Sequence, residues 1–117
     1  MADSAGIAGE SYALVVGKIR DVGVSSMELA DIVGVGERQV QHWAAGSSRP
    51  SAASRDHLVD LYCVVDRLEE VYTPEGIEIW LHSRNRLLGG RRPIERLRSG
   101  GFSEVIDAVE SLAHGAT

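Results

Sequence analysis

Val24-Ser25-Ser26-Met27-Glu28-Leu29, followed by a glycine turn at Gly34-Val35-Gly36, is the stretch whose reading decides the fold. Ser25 can cap a helix, Glu28 three positions on can reach back to it, and Val24 can staple onto Leu29. The short helix so begun ends near Gly34. Gly36 opens another, with Val35 placed against Val40 and Gly46 placed to stop it. Two short helices joined through a glycine-containing turn have helix-turn-helix spacing. If Val40 and Trp43 face the core, helical geometry puts Arg38, Gln41 and His42 on the opposite, exposed face. Arginine and glutamine can each bond a base edge bidentately, so these three are the candidate DNA-reading residues.

Working outward, helical periodicity continues on both sides. Upstream, Tyr12, Val15, Val16 and Ile19 define one face of a first helix, broken at Gly23. Downstream, the polar loop Ser47-Ser48-Arg49-Pro50-Ser51 leads into a long fourth helix from about Ala52 to Tyr72, with Leu58, Leu61, Tyr62, Val65 and Leu68 on one face. Cys63 lies mid-helix among apolar neighbours and reads as a small buried hydrophobe. Thr73-Pro74-Glu75 starts a fifth helix, a capping threonine before a first-turn proline. Trp80, with Ile77 and Leu81, is expected to anchor its buried side. Arg92-Pro93 opens a short sixth helix with Ile94 and Leu97, closed by Gly100-Gly101. A seventh carries Phe102, Val105, Ile106, Val109 and Leu112. The expected fold is all-α with about seven helices. Thr73-Pro74 divides it into a helix-turn-helix module with its long connecting helix, residues 10–72, and a C-terminal module, residues 73–117.

Charge is distributed unevenly. The chain of 117 residues carries a net −5. Six of its twelve basic residues fall between Arg84 and Arg98 against one acid, Glu95, so this stretch is +5 and the remainder −10. Such polarity steers partners of opposite charge and fixes their register. The helix-turn-helix segment is different. From Ser25 to Asp56, three arginines face four acids, a net −1 that supplies little of the phosphate attraction on which DNA affinity rests. Any operator binding by the chain alone is therefore expected to be weak.

Several function classes recede. A single cysteine excludes an internal disulfide and fits a reducing compartment. No apolar run approaches the roughly 20 residues of a membrane span, and no basic signal-peptide start appears. A cytoplasmic protein without membrane contact is expected. The histidines at 42, 57, 82 and 114 have no neighbour at metal-ligand spacing. No nucleophile–base pair and no phosphate-loop pattern stands out. The chain reads as a non-enzyme with no catalytic residue, no metal and no cofactor.

The run Asn85-Arg86-Leu87-Leu88-Gly89-Gly90-Arg91, with Trp80 before it and Pro93, Leu97, Gly101, Val105, Leu112 and Gly115 after it, resembles the toxin-binding domain of the Xre–MbcA–ParS antitoxins. That family typically carries an N-x-x-L-G-G-[RK]-x-P core. It also places an Xre-like helix-turn-helix upstream, so the resemblance spans about residues 10–115. Arg86 departs from the proline that often follows the asparagine, which predicts a looser turn. The resemblance implies an antitoxin of a type II pair that binds an NAD-consuming RES-domain toxin and closes its active site with the C-terminal region. It implies a homodimer within a hetero-oligomer, with operator binding and autorepression in addition. The toxin-binding residues it points to are Arg84, Asn85, Leu88, Gly89, Gly90, Arg91 and Arg92, then Asp107, Glu110, His114 and Gly115 on the last helix and tail. Glu104, Asp107, Glu110, the C-terminal carboxylate and the negative end of the helix dipole would together act as an anion surrogate in a pocket built for pyrophosphate. The alternative from another class is a stand-alone helix-turn-helix transcriptional regulator.

Overall fold

A computed structural model describes residues 9–114. It is built from seven helices: α1 (Gly9–Asp21), α2 (Ser26–Val33), α3 (Glu37–Ala44), α4 (Ala52–Leu68), α5 (Pro74–His82), α6 (Pro93–Arg98) and α7 (Phe102–Ala113). The all-α expectation holds. Each boundary has a local cause. Ser25 Oγ accepts the Glu28 amide at 3.0 Å while Glu28 Oε1 accepts the Ser25 amide at 3.0 Å, so the capping box that starts α2 is complete. Thr73 caps α5 with Pro74 at its first position. Ser51 caps α4.

Helix α4 is shorter than its periodicity suggests. It ends at Leu68, and two further turns carry the chain to Tyr72. Proline at position 74 disfavours helical backbone in the residue before it, and Thr73 is extended with ψ at 167°. The apolar pattern therefore outruns the helix.

One hydrophobic cluster runs through the described residues. It takes Tyr12, Val16 and Ile19 from α1, Leu29 and Val33 from α2, Val40 and Trp43 from α3, and five buried positions of α4. Ile77 and Leu81, Ile94 and Leu97, and Phe102, Val105 and Val109 complete it from α5, α6 and α7. The packing order interleaves the two ends of the chain. Helix α2 lies against both α3 and α6, and α4 against both α1 and α7.

Two residues sit elsewhere than expected. Trp80 is half-buried at the core margin, and Ile77 and Leu81, both fully enclosed, are the anchors of α5. The enclosed indole is Trp43, 1% exposed, under α3. Cys63 is exposed. Leu61, Val64, Val65 and Leu68 fill the inward arc of α4, and Cys63 falls outside that arc.

Polar contacts tie α2 to the second half. Asp31 accepts from Arg98 at 2.7 Å. Glu28 Oε2 lies 3.0 Å from His82 Nε2, while His82 Nδ1 lies 2.8 Å from the Glu78 carbonyl oxygen. Both ring nitrogens of His82 face oxygen atoms, one on α2 and one on its own helix. Gly23, with φ at 91°, packs so tightly on the Glu78 side chain that a Cβ there would overlap it.

Candidate functional site

Between α5 and α6 the chain makes a compact 3₁₀ turn, Arg86–Leu88, absent from the periodicity reading. Asn85 organises it. Its Oδ1 accepts the Leu87 amide at 2.9 Å, and its carbonyl accepts the amides of Leu88 at 3.0 Å and Gly90 at 2.9 Å. The Asn85 amide donates to Arg91 O at 3.0 Å, closing an isolated antiparallel bridge. Gly89 and Gly90 both have left-handed backbone, φ 69° and 83°, where a Cβ would be strained. The asparagine and the glycine pair are thus required by geometry. The looser turn expected at Arg86 is not found: these hydrogen bonds hold the turn closed.

This turn sorts the six arginines into two groups. Arg92 donates to Glu95 Oε2 at 2.8 Å and starts α6 with it. Arg96 pairs with Glu104 on α7, and Arg98 with Asp31 on α2. These three brace the fold. Arg84, Arg86 and Arg91 are exposed and make no ion pair among the described residues. The +5 of the stretch therefore reduces to three uncommitted cations around one turn. Arg92, first by its bond to Glu95, holds that carboxyl below its usual range, and Arg84 adds to the shift. Glu95 in turn raises Arg92.

Across from the turn, α7 presents its acids unevenly. Arg67 of α4 grips Glu110 with two hydrogen bonds, 2.8 and 3.1 Å, and Glu104 is held by Arg96. Both are tethers of α7. Asp107 is exposed and unpaired among the described residues. His114 is exposed at the end of α7, and Gly115 lies outside the described residues.

Of two adjacent leucines, Leu88 is buried and roots the turn in the core, whereas Leu87 is 58% exposed. Leu87 borders three surface depressions. The largest, about 490 Å³, is open and includes Tyr72, Arg84, Arg86 and Leu112. Leu87 and Tyr72 were not among the candidates read from the sequence. Only the phase of the turn says which of two neighbouring leucines faces outward.

The other surface belongs to α3. Arg38, Gln41 and His42 are all exposed there, with Val40 and Trp43 beneath. Gln39 donates to Ser48 at 2.9 Å, and the His42 carbonyl accepts from Ser47 at 3.1 Å, which fixes the following loop to the helix. Glu37 is exposed in the first turn of the same helix, beside the three candidate readers. Among the described residues no group of three His, Cys, Asp or Glu side chains could hold a metal. None of their helices is long and apolar enough to cross a membrane.

Residues 67–115 match the family described as the antitoxin Xre/MbcA/ParS C-terminal toxin-binding domain. Over a longer span, the chain is 35% identical over 102 residues to the "Probable mycobacterial cidal antitoxin Rv3188" of Mycobacterium tuberculosis (strain ATCC 25618 / H37Rv), covering 87% of each. This chain belongs to the Xre/MbcA/ParS antitoxin family. It is likewise 34% identical over 101 residues to the mycobacterial cidal antitoxin MbcA of Mycobacterium bovis (strain ATCC BAA-935 / AF2122/97), covering 86% of this chain and 89% of that one. Its fold matches a chain of the crystal structure of the M. tuberculosis MbcT–MbcA toxin–antitoxin complex, with a TM-score of 0.75 and 33% identity over 90% of this chain and 96% of the other. An Xre/MbcA/ParS antitoxin is a toxin-binding protein and not an enzyme. The family match begins at Arg67, inside α4, and takes in the turn and the whole of α7.

Proposed function

We propose that this antitoxin neutralises a cognate RES-domain toxin that consumes NAD, holding it through the Asn85–Arg92 turn and closing its active site with the end of α7 and the tail. The observation that carries the reading is the trio Arg84, Arg86 and Arg91, without an ion pair among the described residues, around a turn whose backbone is locked. Planar guanidinium groups suit carboxylates on a partner. The likeness to a chain of the MbcT–MbcA complex supports a toxin as that partner. The RES and NAD features rest on the family resemblance. Glu104 and Glu110 are tethered within the chain. In the blocking element, Asp107 and the carbonyl end of α7 are left to act as the anion surrogate.

Exposed Arg38, Gln41 and His42 favour an added role for α3 in operator binding and autorepression. The chain's acidity makes that binding weak until a homodimer, itself part of a hetero-oligomer with the toxin, links several copies and raises their effective concentration. A stand-alone regulator would bind its promoter equally well without any toxin. Residues 10–72 and 73–117 then divide the labour between operator and toxin.

The test is to co-express the chain with the product of the adjacent reading frame. Co-purification, relief of growth arrest and arrest of NAD loss are expected. In the double variant Arg84→Glu and Arg91→Glu, association should weaken strongly, because like charges across an interface can cost several kcal/mol. Failure of the two proteins to associate would overturn the reading.

A further inference from the structure

We infer that Leu87 is the apolar anchor of the toxin interface, seated in a concave apolar socket of the toxin whose rim carries carboxylates toward Arg84, Arg86 and Arg91. The inference rests on the toxin-binding reading above and names the chemistry of the partner surface.

Four observations converge on this residue. Leu87 is 58% exposed although its neighbour Leu88 is buried, so the turn displays one leucine while rooting itself with the other. The displayed residue is fixed from behind, by the Asn85 Oδ1 bond to its amide and by the left-handed Gly89 and Gly90. Depressions surround it on the sides of α7, of Arg91 and of Tyr72, so the side chain stands up as a knob with room for walls around it. The charged groups bordering these depressions are Arg84, Arg86 and Arg91, which make no ion pair among the described residues, the mutually paired Arg96 and Glu104, and, toward α7, Asp107.

An apolar knob on a pre-formed turn loses little conformational freedom on docking, which is what makes a residue an energetic centre of an interface. Charged groups around such a centre set on-rate and register more than affinity. A socket lined by cations or by polar groups would leave either the leucine or the arginines badly placed. An apolar socket with an acidic rim satisfies both.

The experiment measures binding of the full-length chain to the adjacent-frame toxin by calorimetry and stopped flow. Leu87→Ala should weaken affinity about 30-fold or more, the scale of an interface hot spot, with an unchanged melting temperature. Leu87→Asp should abolish binding. Ile79→Ala, at a residue 66% exposed on α5, should change nothing. Arg86→Ala should act mainly on the association rate and its salt dependence. Affinity of Leu87→Ala within about threefold of wild type would overturn the inference while leaving the antitoxin reading intact. Dissociation of a free homodimer by Leu87→Ala would also overturn it, because the socket would then belong to a second copy of this chain. If the wild type does not bind the toxin, the antitoxin reading itself falls.

Discussion

The α3 face and the Asn85–Arg92 turn are both exposed and both carry arginine, yet they are held in place by different means. Helix α3 owes its position to what lies under it, Val40 and Trp43 in the common core. The turn owes its shape to its own hydrogen bonds and to two left-handed glycines, with Leu88 alone as its root. A surface supported by packing answers to distant core changes. One supported by local bonding answers to changes in its own few residues. The two can therefore be damaged separately.

The largest effect should come from Trp43→Ala. Removing a fully enclosed indole costs about 3–5 kcal/mol, so melting should fall steeply and the α3 surface should lose its order first. Trp80→Ala should cost less than half as much, because that side chain is only half-buried at the core margin. Equal melting temperatures for the two variants would contradict the assignment of Trp43 as the enclosed one. Gly90→Ala comes next. A side chain forced into left-handed backbone costs roughly 1–2 kcal/mol, and here the damage should stay in the turn. Toxin affinity should drop while amide exchange in α3 is unchanged, and the converse pattern would break the contrast drawn above. Arg38→Ala should reduce DNA affinity by about 1–3 kcal/mol if its guanidinium reads a base bidentately, with toxin affinity untouched. A gel-shift series on the upstream promoter would measure it.

The smallest effect is that of pH on the turn's exit. Arg92 depresses the Glu95 carboxyl in the folded chain. The stabilisation from this pair is therefore present above the unfolded carboxylate pKa and is lost as pH falls through the lower folded value. A carbon-detected titration of Glu95 should show that lowered midpoint, and Arg92→Gln should move it part of the way back toward the ordinary range, since the Arg92 amide and Arg84 remain.

Much of the fold was legible because its signals are local. Capping boxes, first-turn prolines and the 3.6-residue period act within a few positions, and the boundaries at Ser25 and Thr73 follow from them. What was not legible depends on residues far apart. Whether an arginine is free or committed turns on partners such as Asp31 for Arg98 and Glu104 for Arg96, so the basic run could be counted but not sorted. The resemblance points to Glu110 as a toxin contact, and only the fold brings Arg67 of α4 to hold it. Cys63 and Trp80 failed for a related reason. Apolar neighbours in sequence do not say how wide the buried arc of a helix is. The outward leucine is a local exception: Leu87 and Leu88 are chemically identical, and the phase of the 3₁₀ turn decides which of them faces outward.

Asp31 and Arg98 are separated by 67 positions, and that interval has a consequence during synthesis. The first three helices leave the ribosome without α6, the element that covers one side of α2. At about 5–20 residues per second, roughly 3–13 s pass between the appearance of Asp31 and that of its partner. For that time Leu29 and Val33 lack part of their enclosure, and the nascent chain is open to proteases. A chain cut short before α6 thus lacks the braces that complete its helix-turn-helix, and full-length molecules hold the advantage in surviving degradation.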